Sequence, residues 1–224
     1  MNLRRSCFFM LSGILVASFL SGAPPAQEQE GEHRQVSKER IFEFNRLDVV
    51  VDDFKAQGFI LDIGGGGEGV IGQLKGAQVI AIDLSKRELE DAPPGPALKI
   101  VMDARDLKFL DGTFNTATVF FTFMYIQSGD HEKVFRELYR AISPGGRLLI
   151  WDVIFPTRTD PKKDVAIFPL RIQLPGKTIG TGYGVSWPPQ GQGLPHYAEL
   201  AERTGFKTIT QSEKNGWFFL ELQK

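Results

Sequence analysis

Residues 59–72, Phe-Ile-Leu-Asp-Ile-Gly-Gly-Gly-Gly-Glu-Gly-Val-Ile-Gly, constrain this chain more than any other stretch. An apolar run reaches Asp62 and then dissolves into glycine. That is how a buried parallel strand ends in a tight turn whose backbone a ligand can approach closely. The stretch therefore predicts the first strand and the nucleotide-type loop of an open α/β sheet.

Beyond Gly72 the chain keeps the rhythm of such a sheet. Val79-Ile80-Ala81-Ile82 ends in Asp83, and Leu98 to Met102 ends in Asp103, so three successive predicted strands finish in an acid. In open α/β sheets ligands bind beyond the carboxyl ends of the strands, which places these acids along one crevice. Thr113 to Phe121 reads as a fourth strand after the Asp111-Gly112 turn, and Leu148 to Trp151 as a fifth. Between them, Asp130 is placed to cap a helix whose buried face is Val134, Phe135, Leu138 and Ile142. A last helix begins at Pro195 and stops at Gly205; Phe206–Gln211 and Trp217–Leu222 close the chain as an antiparallel pair around Asn215-Gly216. The fold expected is α/β: a Rossmann-like doubly wound sheet, mostly parallel with a C-terminal antiparallel strand and helices on both faces.

Two further segments carry expectations. Ile41, Phe44, Leu47, Val50, Val51 and Phe54 recur every three or four residues and predict a helix leading into the first strand. The stretch at about 156–194 is rich in Pro and Gly, lacks a helical period, and is long for a passive connection. It reads as a substrate lid, with a β-hairpin as its most economical form.

At 224 residues the chain is long enough for one domain with its own core. Residues 37–224 are assigned to it, 27–36 to a polar linker, and 1–26 to a leader. In the leader, Arg4 and Arg5 precede an apolar run from Cys7 to Leu20 and a small-residue segment, the order of a secretory signal or membrane anchor. Export or membrane association is the expectation, and a cytoplasmic chain the alternative. The charge balance of 26 basic to 27 acidic residues gives no basic excess for binding phosphates, so a small molecule is expected rather than nucleic acid. The single cysteine, Cys7, lies in the leader, which excludes a thiol nucleophile or a disulfide framework from the body. His33, His131 and His196 have no ligand spacing, and no metal site is expected.

Taken alone, the loop admits two ligands. Gly64, Gly66 and Gly69 satisfy GxGxxG, and Asp83 lies near the distance of a ribose-binding acid, so an NAD(P)-dependent oxidoreductase is one reading. Its surroundings point elsewhere. Asp62-Ile63-Gly64-Gly65-Gly66, Asp83, Met102-Asp103-Ala104, Asp111-Gly112-Thr113-Phe114-Asn115 and Pro144-Gly145-Gly146-Arg147-Leu148-Leu149 occur in an order and spacing that resembles the class I S-adenosylmethionine-dependent methyltransferases. The resemblance covers about residues 40–155. A carboxylate at the tip of strand one also suits a ligand with a sulfonium and an ammonium, and would repel a pyrophosphate.

The resemblance implies a cofactor, S-adenosylmethionine, and roles for particular residues. Asp62 would orient its methionine end, Gly64 and Gly66 would admit it against the backbone, and Asp83 would accept the ribose hydroxyls. Asp103 and Ala104 would meet the adenine, and Phe121 would bring a carbonyl toward the ammonium. The usual loop has a third glycine where this chain has Glu68. Methyl transfer from a sulfonium needs alignment and water exclusion more than a base, so catalytic residues are not legible. Candidates for the substrate wall are Phe123, Met124, Tyr125, Trp151, Asp152, Tyr183 and Trp187. A small-molecule acceptor is expected, with a non-catalytic exported binding domain as the remaining alternative.

Overall fold

The computed structural model describes residues 36–188 and 190–224. The expected leader at 1–26 lies outside them, as does nearly all of the linker.

Seven strands form the main sheet in the order β10-β11-β7-β6-β3-β4-β5. Its parallel part comprises β3 (Ile60–Ile63), β4 (Val79–Asp83), β5 (Leu98–Val101), β6 (Phe114–Phe120) and β7 (Ile142–Val153). β10 (Lys207–Lys214) and β11 (Trp217–Gln223) join β7 antiparallel. Because β3, β4, β5 and β6 run parallel, their carboxyl ends reach the same edge. Four helices complete the expected alternation: α1 (Val70–Lys75), α2 (Lys86–Asp91), α3 (His131–Ala141) and α4 (Leu194–Thr204). Ser85 caps α2 by accepting from the Glu88 amide at 3.3 Å. Gly205, at φ 107°, ends α4 in the left-handed conformation that favours glycine.

One face of the sheet is covered as a helix pattern requires. Leu61, Ile63, Val119 and Ile150 pack there against Val134, Phe135 and Leu138 of α3 and Tyr197 and Leu200 of α4. The other face is covered largely by a second, four-stranded sheet. In it β8 (Val165–Leu174) is central: β9 (Lys177–Ser186) pairs with it antiparallel, while β1 (Ile41–Glu43) and β2 (Leu47–Val50) pair with it in parallel. Leu47, Val49, Phe168, Leu170 and Ile172 from this sheet meet Ile60, Val79, Phe120 and Trp151 from the main one, with Val70 and Ile71 of α1.

The helix expected over residues 41–54 is therefore replaced by two strands. Leu47, Val49 and Val51 are buried while Asp48 and Val50 are exposed, a period of two. β-branched and aromatic residues dominate the stretch, and the strand that pairs with it lies more than a hundred residues away. That distant edge decided between two periods the local pattern left close. The hairpin expected within about 156–194 is present as β8–β9. Asp130 precedes α3 without a side-chain cap bond and gives its carboxylate to Arg105 instead.

Phe168 is fully buried where the sheets meet, stacked on Phe44 at 4.5 Å and edge-on to Phe155 at 5.4 Å. Phe168→Ala should lower the unfolding free energy by about 3–5 kcal/mol, because a large aromatic is removed from a site that cannot collapse freely. Urea denaturation followed by tryptophan fluorescence measures it.

Candidate functional site at the carboxyl ends of the strands

The site begins with Asp62. It lies on β3 directly across from Thr118 of β6, and the Thr118 hydroxyl donates to its Oδ1 at 2.7 Å. Asp62 is 2 % exposed. Burial raises its pKa to about 7, with Thr118 opposing the shift and the charge of Asp83 adding to it. A carboxylate kept in this position gains from any cation brought beside it.

The loop after Asp62 is glycine for reasons internal to the protein. Gly64 has φ 68°, and a Cβ there would sit 2.3 Å from the Thr122 hydroxyl. At Gly65 a Cβ would lie 2.6 Å from Oδ2 of Asp62, and at Gly66 2.9 Å from Oδ2 of Asp83. The loop thus folds back onto both strand-end acids, which only a chain without side chains can do. Asp83 accepts from the Ser85 amide at 2.8 Å, and its pKa is raised, chiefly by burial. Leu84, beside it, is half exposed. A leucine after a strand reads as core, yet beside Asp83 this one presents an apolar surface to solvent.

Asp103 stands differently. Arg105 wraps it, with its amide donating at 2.8 Å and its guanidinium at 2.7 and 3.0 Å, and reaches Asp130 at 2.8 Å. These bonds hold the Asp103 carboxyl below the usual range. Its acceptor capacity is largely committed within the protein, a constraint that Arg105 at two residues' distance signals in the sequence. Ala104 lies in the turn between them, packed on the apolar side of the sheet.

Phe121 follows β6 with φ 50°, a conformation that costs a bulky residue about 1–3 kcal/mol and is found where the surrounding structure fixes the chain. Its amide donates to the Trp151 carbonyl at 2.7 Å, and its ring lies 6.0 Å from Tyr183. Tyr125 stands edge-on to Tyr183 at 6.3 Å and is half exposed. These three aromatics form one contiguous group between the turn after β6 and β9.

Other wall candidates serve elsewhere. Asp152 is fully buried and accepts from the amides of Phe123 at 2.8 Å and Val153 at 2.8 Å, so it holds the turn after β6 rather than facing an acceptor. Burial raises its pKa to about 7 against those bonds. Trp151 packs between the sheets beside Phe54, Phe120 and Phe219. Trp187 packs on Phe42 and Phe44 and donates to the Pro156 carbonyl at 3.1 Å. Phe123 and Met124 are core. His131 and His196, 65 residues apart in sequence, meet at 3.1 Å between α3 and α4. Burial lowers the pKa of both.

Glu68, the departure from the usual loop, is what joins the loop to β9. It accepts from the Tyr183 hydroxyl at 2.8 Å and from the Thr181 hydroxyl. Tyr183's phenol is held well above its ordinary pKa, first by burial and then by the Glu68 charge.

Residues 61–150, which span the acid-tipped strands and the loop, match the model of a family described as a methyltransferase domain. The fold of the chain is that of the S-adenosylmethionine-dependent methyltransferases: the enzyme of that type from Mesorhizobium loti superposes with a TM-score of 0.53 at 15% identity, covering 75% of this chain and 92% of that one. Phosphoethanolamine N-methyltransferase 2 of Haemonchus contortus, solved with S-adenosyl-L-methionine, gives 0.54 at 19%, covering 77% and 50%. In sequence, this chain is 34% identical over 82 residues to demethylmenaquinone methyltransferase of Mycolicibacterium vanbaalenii, 37% of this chain and 35% of that protein. The Streptomyces griseus protein of the same name is 46% identical over 57 residues, 25% and 24%. The chain spans about a third or less of the length of these curated relatives.

The raised pKa of Asp62 has a signed consequence. Between its unfolded value near 3.8 and about 7, the folded domain keeps a proton that the unfolded chain has lost. Stability from this group therefore falls as pH rises through that window. Asp62→Asn removes the titration, so the variant should gain stability relative to the parent between pH 5 and pH 8, measured by paired thermal melts across the range.

Proposed function

We propose that this domain transfers a methyl group from S-adenosylmethionine to a small acceptor with an apolar, ring-bearing body. The observation that carries the reading is the pair of strand-tip carboxylates, Asp62 and Asp83, which burial holds in raised-pKa positions against a loop of glycines. Folding takes Asp62 out of water and Asp83 partly so, and brings no basic side chain into hydrogen-bond contact with either among the described residues. A cationic ligand recovers part of that cost, whereas a pyrophosphate adds to it.

The residues present fit the cofactor in kind. Asp62 would hold its positive methionine end, Asp83 its ribose hydroxyls, and Leu84 would carry a flat ring between Asp83 and the Asp103–Ala104 turn. Asp103 would contribute with whatever acceptor capacity Arg105 leaves it, so the Ala104 backbone is the stronger candidate there. When bound, S-adenosylmethionine supplies a methyl group already activated on a sulfonium. The protein's part is then to orient the acceptor and keep water out. Phe121, Tyr125 and Tyr183 suit both tasks, since their rings present apolar area and favour a nearby cation. The relatives' name, demethylmenaquinone methyltransferase, makes a quinol-type ring the first acceptor class to test.

We place the protein at or beyond a membrane. The support is the sequence of residues 1–26, with its basic, apolar and small-residue order. An apolar acceptor dissolved in lipid would be met there.

Titration calorimetry with S-adenosylhomocysteine should show saturable binding, and a flat thermogram would overturn the proposal. Asp83→Ala should weaken binding about 10–100-fold, the loss expected when a half-buried carboxylate no longer accepts from the ligand. Fractionation of cells expressing the full chain should find it in the membrane or exported fraction; a full-length chain in the cytosol removes the localisation.

A further inference from the structure

The glycine loop and the β8–β9 hairpin are fastened to each other by a set of side chains that alternate along one strand. Lys177, Thr181 and Tyr183 project from the same face of β9, as a period of two requires, with Ile179 and Val185 of that face in the core. Thr181 and Tyr183 donate to the Glu68 carboxylate. Lys177 donates to Oε1 of Gln73 on α1, and Nε2 of Gln73 donates at 2.5 Å to the Glu68 backbone carbonyl. One residue, Glu68, is thus held by hairpin and helix at both its side chain and its backbone. The next residue, Gly69, has φ 53°, and Gly67 before it has φ 56°. Glu68 is consequently the one residue with a side chain in an otherwise bare loop, carried out to the hairpin on a glycine at each side.

We propose that Glu68 is a positioning residue that couples the loop to the hairpin, so that the cofactor side and the acceptor side of the crevice become ordered together. The inference rests on the loop being the cofactor-binding element. Its physical content is linkage: a ligand that fixes the loop fixes Glu68, and Glu68 fixes Thr181 and Tyr183. Tyr183 in turn stands against Phe121 and Tyr125, the remaining aromatics of the acceptor wall. An alanine or glycine at position 68 would leave the loop able to fold and the hairpin without its charged anchor. The device also makes binding of the two substrates mutually favourable, since whichever binds first bears the ordering of the shared contact.

Amide hydrogen exchange on the full chain reads this directly. In the parent, S-adenosylhomocysteine should slow exchange both in residues 64–69 and in residues 177–186. In Glu68→Ala, which removes both the Thr181 and the Tyr183 bond, the hairpin amides should exchange at least about tenfold faster without ligand, the scale of a single charge-assisted hydrogen bond. Adding the ligand to that variant should then protect the loop alone. Tyr183→Phe, which keeps the ring and removes the donor, should reproduce the effect in part, and serves if the alanine variant does not fold. Glu68→Gln should restore some protection, because an amide oxygen still accepts from the phenol. Protection of the loop without the hairpin in the parent overturns the coupling while leaving the cofactor reading intact. Absence of protection at both places, with no calorimetric heat, overturns the cofactor reading and the coupling with it.

Discussion

The carboxylate of Asp62 is buried at the tip of a central strand, and much of the structure exists to accommodate it. β3 delivers Asp62 onto the face shared with Ile60, where apolar residues from both sheets pack. A lone carboxylate there bears a large desolvation cost, visible in a pKa near 7. Thr118 offsets part of it from the neighbouring strand. The loop must then close over the acid, and it can do so only with glycine at 64 and 65, where added side chains would collide with Thr122 and with Asp62 itself. The acid and the glycines are one requirement rather than two.

The second sheet follows from the same geometry. Once the glycine loop lies back across β3 and β4, α1 is short and covers little of that face. Leu47, Val49, Phe168, Leu170 and Ile172 fill the remainder, so the second sheet is also a principal part of the core. A hairpin built this way is anchored at its base by aromatic packing and at its face by Glu68. Aromatic packing on one side and the Thr181 and Tyr183 bonds to Glu68 on the other together tie the hairpin to the main sheet and to the loop.

The centre of the main sheet was legible because β3 and β4 are short, largely apolar and punctuated by an acid, with glycines after β3. The tips at Asp62 and Asp83, the cap at Ser85 and the αL glycine at 205 stand where local chemistry places them. What could not be read locally involved partners far away in the chain. Leu47, Val50 and Phe54 have helical spacing, but β8 offers a strand edge, and Leu47-Asp48-Val49-Val50 pairs with it. Asp152 looks like a wall residue until Phe123 and Val153 are found to donate to it. His131 and His196, scattered in sequence, share a contact because α3 and α4 pack side by side.

By itself, then, the sequence determined the alternation of strands and helices, the edge at which the acids gather, and the presence of a loop without side chains. Those depend on hydrophobic period, backbone freedom and the placement of charge, which act over a few residues. Only the tertiary structure decided which acids accept bonds from the backbone, which aromatics pack together, and what Glu68 touches. The bonds from Phe123 to Asp152 and from Thr181 and Tyr183 to Glu68 span 29, 113 and 115 positions of the chain. Glu68 shows the division well: in sequence it interrupts a glycine loop, and in the fold its two hydroxyl donors, 113 and 115 residues further on, make it the join between the loop and the wall.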